Sequence, residues 1–124
     1  LLALPGFPAL ASVNGDVTIN SNPALGSVAG FPALVTIAGS LTLTNDVALG
    51  SVAGFVALDA VGGGLAISNN FALQSVAGLL GIDTVGGDLT VTNNFLLGTA
   101  NAEALRDAIG VADIGGTITL SGNL

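Results

Sequence analysis

Hydrophobic and polar positions follow two periods in turn along this chain. In residues 23–46, PALGSVAGFPALVTIAGSLTLTND, apolar side chains fall on every third residue at Leu25, Val28, Phe31, Leu34 and Ile37. The spacing then tightens to every second residue at Leu41 and Leu43. Residues 47–70 and 71–94 repeat this order without a gap. Leu25 returns as Leu49, Leu73 and Leu97, and Val28 as Val52 and Val76. Phe31 returns as Phe55 and Leu79, Leu34 as Leu58 and Ile82, and Ile37 as Val61 and Val85. The alternating pair returns as Leu65 and Ile67, Leu89 and Val91, and Ile118 and Leu120. Strict alternation marks a strand with one buried face. Glycine and asparagine pairs punctuate every unit, which rules out a helix for the repeat itself.

No single unit of this kind can bury its own apolar face. Stacked units form one continuous core, with parallel strands in register from coil to coil. The expectation is a mainly β chain: a parallel β-solenoid of 24-residue coils with one short α-helix near the C-terminus. The coils are 1–22, 23–46, 47–70, 71–94 and 95–124, within one repeat domain. Phe31 and Phe55 are expected to stack. Gly15, Gly39, Gly63, Gly87 and Gly116 form a column just before the alternating strand, which fits a turn of positive φ or a close approach of neighbouring backbones. Asn22, Asp46, Asn70, Asn94 and Asn123 form a column just after it. Such residues form tight corners, tolerate left-handed backbone, and can bond to one another along the stack.

The fifth unit departs from the pattern at TANAEALRDAIGVADIGG. The segment predicts a helix from about Ala102 to Ile109. Thr99 or Asn101 would cap it, Glu103 would sit in its first turn, and Gly110 would close it. Ala104, Leu105, Ala108 and Ile109 give it an apolar side, and Arg106 can pair with Glu103 or Asp107.

The resemblance that these residues carry is to receptor L-domain and leucine-rich-repeat-like proteins. The pattern V-x-G-x-L-x-V-x-x-N is met by Val85, Gly87, Leu89, Val91 and Asn94, with Leu97 following, and it recurs along the chain. AEALRDAIG ahead of IGGTITLSGN looks like the bacterial extracellular versions. The resemblance implies a right-handed solenoid at a cell surface or in a cell wall, used to bind proteins or carbohydrates. The chain departs from the commoner leucine-rich repeat in two ways. Asn94 and Leu97 are three positions apart rather than two, and no unit carries a long convex helix. A straighter, compact solenoid is therefore expected instead of a horseshoe.

Composition narrows the function. The chain has 124 residues and a net charge of −7, with Arg106 as its one basic residue. Nucleic-acid binding needs clustered Lys and Arg, so that class is excluded, and anionic membrane surfaces are disfavoured. Apolar runs are broken well short of the ~18 residues of a spanning helix, so no membrane insertion is expected. The opening LLALPGFPAL has no basic region and fits the repeat, so it does not read as a signal peptide. Without an initiator Met, the chain reads as processed, or as an ordered piece of something longer. Absence of Cys leaves the redox compartment open.

The chain has no His, Cys, Lys or Tyr, so most nucleophile and general-base arrangements lack members. Asp59 and Asp83 hold equivalent places in adjacent coils and are expected to point into water. No dense Asp loop suggests Ca²⁺, and GGGL and GGDL precede strands, unlike phosphate loops. No enzyme activity and no cofactor are expected. The outward strand face is the candidate binding face. It presents Thr18 and Asn20, Thr42 and Thr44, Ala66 and Ser68, Thr90 and Thr92, and Thr119 and Ser121. Residues two apart lie roughly 6.7 Å from each other, and coils roughly 4.8 Å.

The functional expectation is a noncatalytic extracellular or cell-surface solenoid with a structural or interaction role, forming filaments or serving as a surface-protein module. Its partners would be further copies end to end, or flanking coils of a longer chain. The alternatives are ice binding through the Thr-rich face and recognition of a protein or glycan ligand.

Overall fold

A computed structural model describes Leu4 and residues 6–124. Residues 1–3 and 5, at the start of the first expected coil, lie outside the described residues. The strands are β1 (Ser12–Val13), β2 (Val17–Asn20), β3 (Ser27–Val28), β4 (Thr36–Ile37), β5 (Leu41–Thr44), β6 (Ser51–Val52), β7 (Ala60–Val61), β8 (Leu65–Ser68), β9 (Thr84–Val85), β10 (Leu89–Thr92) and β11 (Ile118–Ser121). One α-helix among the described residues, α1 (Thr99–Ile109), precedes β11. The chain is a parallel β-solenoid. The five long strands form one sheet in the order β11-β10-β8-β5-β2. β1, β4, β7 and β9 form a second sheet, and β3 and β6 a third.

Register follows the repeat. Leu41 pairs with Leu65, Leu65 with Leu89, and Leu89 with Ile118. Each apolar column of the sequence therefore becomes a row of touching side chains along the axis. Every member of the five columns that begin at Leu25, Val28, Phe31, Leu34 and Ile37 is buried. Burial is the main stabilising term for such a stack. Phe31 and Phe55 stack with centroids 4.8 Å apart and rings 9° from parallel, and Phe7 adds to the stack at 5.2 Å.

The glycine column is explained by close approach. None of Gly15, Gly39, Gly63, Gly87 or Gly116 has positive φ. A Cβ on Gly39 would lie 2.7 Å from the Gly15 carbonyl carbon, and one on Gly63 would lie 3.0 Å from that of Gly39. Backbones of successive coils meet at Gly39, Gly63, Gly87 and Gly116, where a side chain would force them apart, while Gly15 in the first coil has open space.

Left-handed backbone falls one residue earlier than the asparagine column suggests. Ser21, Asn45, Asn69, Asn93 and Gly122 carry φ between 58° and 70°, whereas Asn22, Asp46, Asn70, Asn94 and Asn123 do not. The first residue of each pair turns the corner, which swings the second side chain inward. Asp46, Asn70, Asn94 and Asn123 are buried, and Asn22 is partly covered. They form an inner ladder. The backbone N–H of Asn22 donates to Asp46 Oδ1 (2.7 Å), that of Asp46 to Asn70 Oδ1 (3.0 Å), that of Asn70 to Asn94 Oδ1 (3.1 Å) and that of Asn94 to Asn123 Oδ1 (3.3 Å). Each amide also reaches back to a strand carbonyl. Asn70 Nδ2 donates to Leu43 (2.9 Å), Asn94 Nδ2 to Ile67 (2.9 Å) and Asn123 Nδ2 to Val91 (2.6 Å).

Asp46 is the flaw in this ladder. Its Oδ2 is the one buried side-chain polar atom without a hydrogen-bond partner among the described residues. By the 27-residue offset of the other rungs, the group facing it is the carbonyl of Ile19, an acceptor facing an acceptor. Asp46→Asn is therefore expected to stabilise the chain by about 1–3 kcal/mol, because a donor replaces an orphaned oxygen. A denaturation midpoint above that of the parent chain is the expected measurement, and a lower one contradicts the assignment.

α1 begins at Thr99, three residues before the expected start. Its N-cap is Gly98 with φ 85°, and no side chain caps it. The two expected caps are engaged elsewhere: Thr99 Oγ1 donates to the Asn123 carbonyl (2.9 Å), and Asn101 Nδ2 to that of Leu97 (2.7 Å). Glu103 consequently lies beyond the first turn. The buried side is Ala102, Leu105 and Ile109, while Ala104 and Ala108 face out. Gly110 closes the helix as expected, its N–H donating to Arg106. Arg106 pairs with both Asp107 (2.9 Å) and Glu103 (3.6 Å), surface contacts of small energetic weight. α1 stands where the next members of the Val76, Leu79 and Ile82 columns would fall, and its three buried side chains join the same core.

Candidate binding face

The outward face of the five-stranded sheet carries two columns. In the first, Thr18 pairs with Thr42, Thr42 with Ala66, Ala66 with Thr90, and Thr90 with Thr119. In the second, Asn20 pairs with Thr44, Thr44 with Ser68, Ser68 with Thr92, and Thr92 with Ser121. Strand alternation turns all of these away from the core. Those in β5, β8 and β10 are half-buried because coils on both sides crowd them, while those in β2 and β11 are exposed.

The columns differ in chemistry. Hydroxyls of the second bond to one another: Ser68 and Thr92 share a hydrogen bond (2.9 Å), and Thr44 Oγ1 donates to Asn20 Oδ1 (3.2 Å). Beside them runs an outer amide ladder. Asn45 Nδ2 donates to Asn20 Oδ1 (3.0 Å), Asn69 Nδ2 to Asn45 Oδ1 (3.1 Å) and Asn93 Nδ2 to Asn69 Oδ1 (3.2 Å). Sequence reasoning missed this second ladder, although the doubled Asn-Asp and Asn-Asn pairs were its signal. In the first column, no side-chain hydrogen bond joins Thr18, Thr42, Thr90 or Thr119 to another described residue, so their hydroxyls are left to solvent or a ligand.

One coil breaks the face. Residues just before the long strand normally reach to the next coil. Asp16 Oδ1 accepts from the Ser40 N–H (2.8 Å), Ser40 Oγ from the Gly64 N–H (3.1 Å), and Asp88 Oδ1 from the Thr117 N–H (2.8 Å). Gly64 has no side chain to continue the series, and Ala66 two residues on lacks the hydroxyl of its column. A shallow hollow of about 210 Å³ results, lined by Ser40, Thr42, Gly64, Leu65, Ala66, Asp88 and Thr90.

Asp59 and Asp83 do lie side by side, both exposed. A hydrogen bond with Asp83, then like-charge repulsion and slight desolvation, hold the Asp59 carboxyl above the ordinary carboxylate range. Among the described residues no group of three His, Cys, Asp or Glu side chains could hold a metal ion, and no helix is long and apolar enough to cross a membrane.

No protein-family model, curated protein or solved structure matches the chain.

Proposed function

We propose that the chain is a noncatalytic structural and interaction solenoid, working at a cell surface or outside the cell, and that its coils continue end to end, into a further copy or into flanking coils of a longer chain. The observation that carries this reading is the complementarity of the two ends of the inner ladder. Each rung donates its backbone N–H to the side-chain oxygen of the next rung. Among the described residues, the Asn123 N–H at one end has no acceptor and Asn22 Oδ1 at the other has no donor. The five-stranded sheet is open in the same sense, with β2 and β11 each paired on one side only. Unpaired strand edges recruit further strands. Half-buried Val17 at one edge and Ile118 and Leu120 at the other would complete their burial in that contact.

Such a contact is heterologous, and its repetition gives filaments. An exposed apolar column on the flank offers a surface for lateral partners: Val47, then Phe71 and Phe95, whose rings stack 5.0 Å apart. Sedimentation and electron microscopy over a concentration series test the reading. Assemblies one solenoid wide that lengthen with concentration are expected. Dispersed monomers at high concentration end the filament version.

A further inference from the structure

The hollow at Gly64 and Ala66 is a truncation of two outward positions in one coil, in register with each other. At the first position the neighbouring coils carry Asp16, Ser40, Asp88 and Thr117, and at the second Thr18, Thr42, Thr90 and Thr119. The walls are the flanking strands, two strand spacings or roughly 9–10 Å apart. Its floor is the Gly64 backbone and the Ala66 methyl group.

The truncation also frees a donor. Everywhere else in the series a side-chain oxygen of one coil accepts the backbone N–H of the next. The Asp88 N–H lies where the side chain of residue 64 would meet it: a Cβ built on Gly64 would stand 3.6 Å from that nitrogen. It has no acceptor among the described residues. Asp88 Oδ1 is committed to the Thr117 N–H of the following coil. Ser40 Oγ accepts from Gly64 and retains its own proton to donate. Thr42 and Thr90 flank Ala66 from the two neighbouring strands and line the hollow.

We infer that this notch is a binding site for a neutral saccharide, engaged through its ring hydroxyls. One sugar hydroxyl accepts from the Asp88 N–H. The Ser40, Thr42 and Thr90 hydroxyls, each both donor and acceptor, suit the remaining ring hydroxyls. A C–H face of the sugar lies on the Ala66 methyl group. The carboxylate in the wall, on a chain of net charge −7, selects against anionic sugars. A hollow of about 210 Å³ takes one ring and leaves the rest of a chain to run over the flat sheet. The site is open and shallow, so affinity is expected near the millimolar range. This inference is independent of end-to-end assembly: dispersed monomers can carry the notch, and filaments can form without it.

The test is amide NMR of the isotopically labelled full chain, titrated with cellobiose, maltose, mannobiose and chitobiose. Saturable shifts are expected for Asp88, Ala66, Thr42 and Thr90 with at least one of the four disaccharides. Ala66→Thr and Gly64→Ser refill the notch with the residue types that other coils carry at those places. Ala66→Thr is expected to keep the thermal unfolding transition, and Gly64→Ser to lower it slightly, because its Cβ would stand 3.2 Å from the Asp88 carbonyl oxygen; both are expected to weaken binding at least about tenfold. Gly64→Ser also gives the Asp88 N–H an acceptor, so that resonance is expected to lose its sensitivity to sugar. No saturable shift with any of the four, or undiminished binding by both refilled variants, overturns the inference.

Discussion

Leu89→Asp is expected to unfold the middle of the solenoid. Leu89 is fully buried and sits between Leu65 and Ile118 in one column. The substitution removes a large apolar side chain, at a cost of about 2–5 kcal/mol. It also places a carboxylate where no cationic partner exists, since Arg106 is the only basic residue and points outward from α1. The total is comparable to the whole stability of a small domain, about 5–15 kcal/mol. Coils in a stack are stabilised by their neighbours, so the loss propagates to the coils on both sides. Far-ultraviolet circular dichroism should show the β signal lost or the cooperative melt gone. A variant that melts as cooperatively as the parent would contradict the inward placement of the alternating residues.

Asn94→Ala is the second large effect. The Asn94 side chain is fully buried and serves three neighbours at once. Its Oδ1 accepts from the Asn70 N–H, while its Nδ2 donates to the Ile67 carbonyl and to Asn123 Oδ1. Alanine leaves the Asn70 N–H without a partner in a place that water does not reach, and takes from the Ile67 carbonyl one of its two donors, the strand ladder supplying the other. The buried orphan costs about 1–3 kcal/mol and each of the other two lost bonds about 0.5–1.5 kcal/mol, so a loss of about 2–5 kcal/mol is expected in chemical denaturation. The companion variant Asn45→Gly removes a rung of the outer ladder and keeps the left-handed backbone. Asn45 is exposed and water replaces its bonds, so its effect should stay below about 1 kcal/mol. Equal losses from the two variants would show that the inner ladder is not a buried network.

The contrast between the ladders explains what sequence reasoning reads well and where it stops. Both ladders come from the same doubled Asn pairs. The amino-acid string shows the doubling but not which member turns the corner. That depends on where the strand ends against its neighbours, and the left-handed residue proves to be the first of each pair. The same holds for α1. Its existence and its closure at Gly110 follow from local chemistry, but Thr99 and Asn101 are claimed by the Asn123 and Leu97 carbonyls, and capping passes to Gly98. Ala104 and Ala108 look equivalent to Ala102 in composition, and only the angle at which the helix lies on the stack separates buried from exposed.

The 24-residue repeat by itself determined the solenoid, the parallel register, the buried columns and the outward Thr-rich face. A side chain in a stacked coil has its own equivalents as its nearest neighbours, so periodicity along the chain is adjacency in space. Tertiary structure alone decided the exceptions. Gly64 and Ala66 read as ordinary small residues until the coils are placed side by side, and then they open a hollow and strand the Asp88 N–H. Asp46 reads as a conservative variant of Asn until its Oδ2 is left buried without a hydrogen-bond partner. An unmet hydrogen bond is a relation between two coils at close range, and it takes form only when both partners are fixed in space.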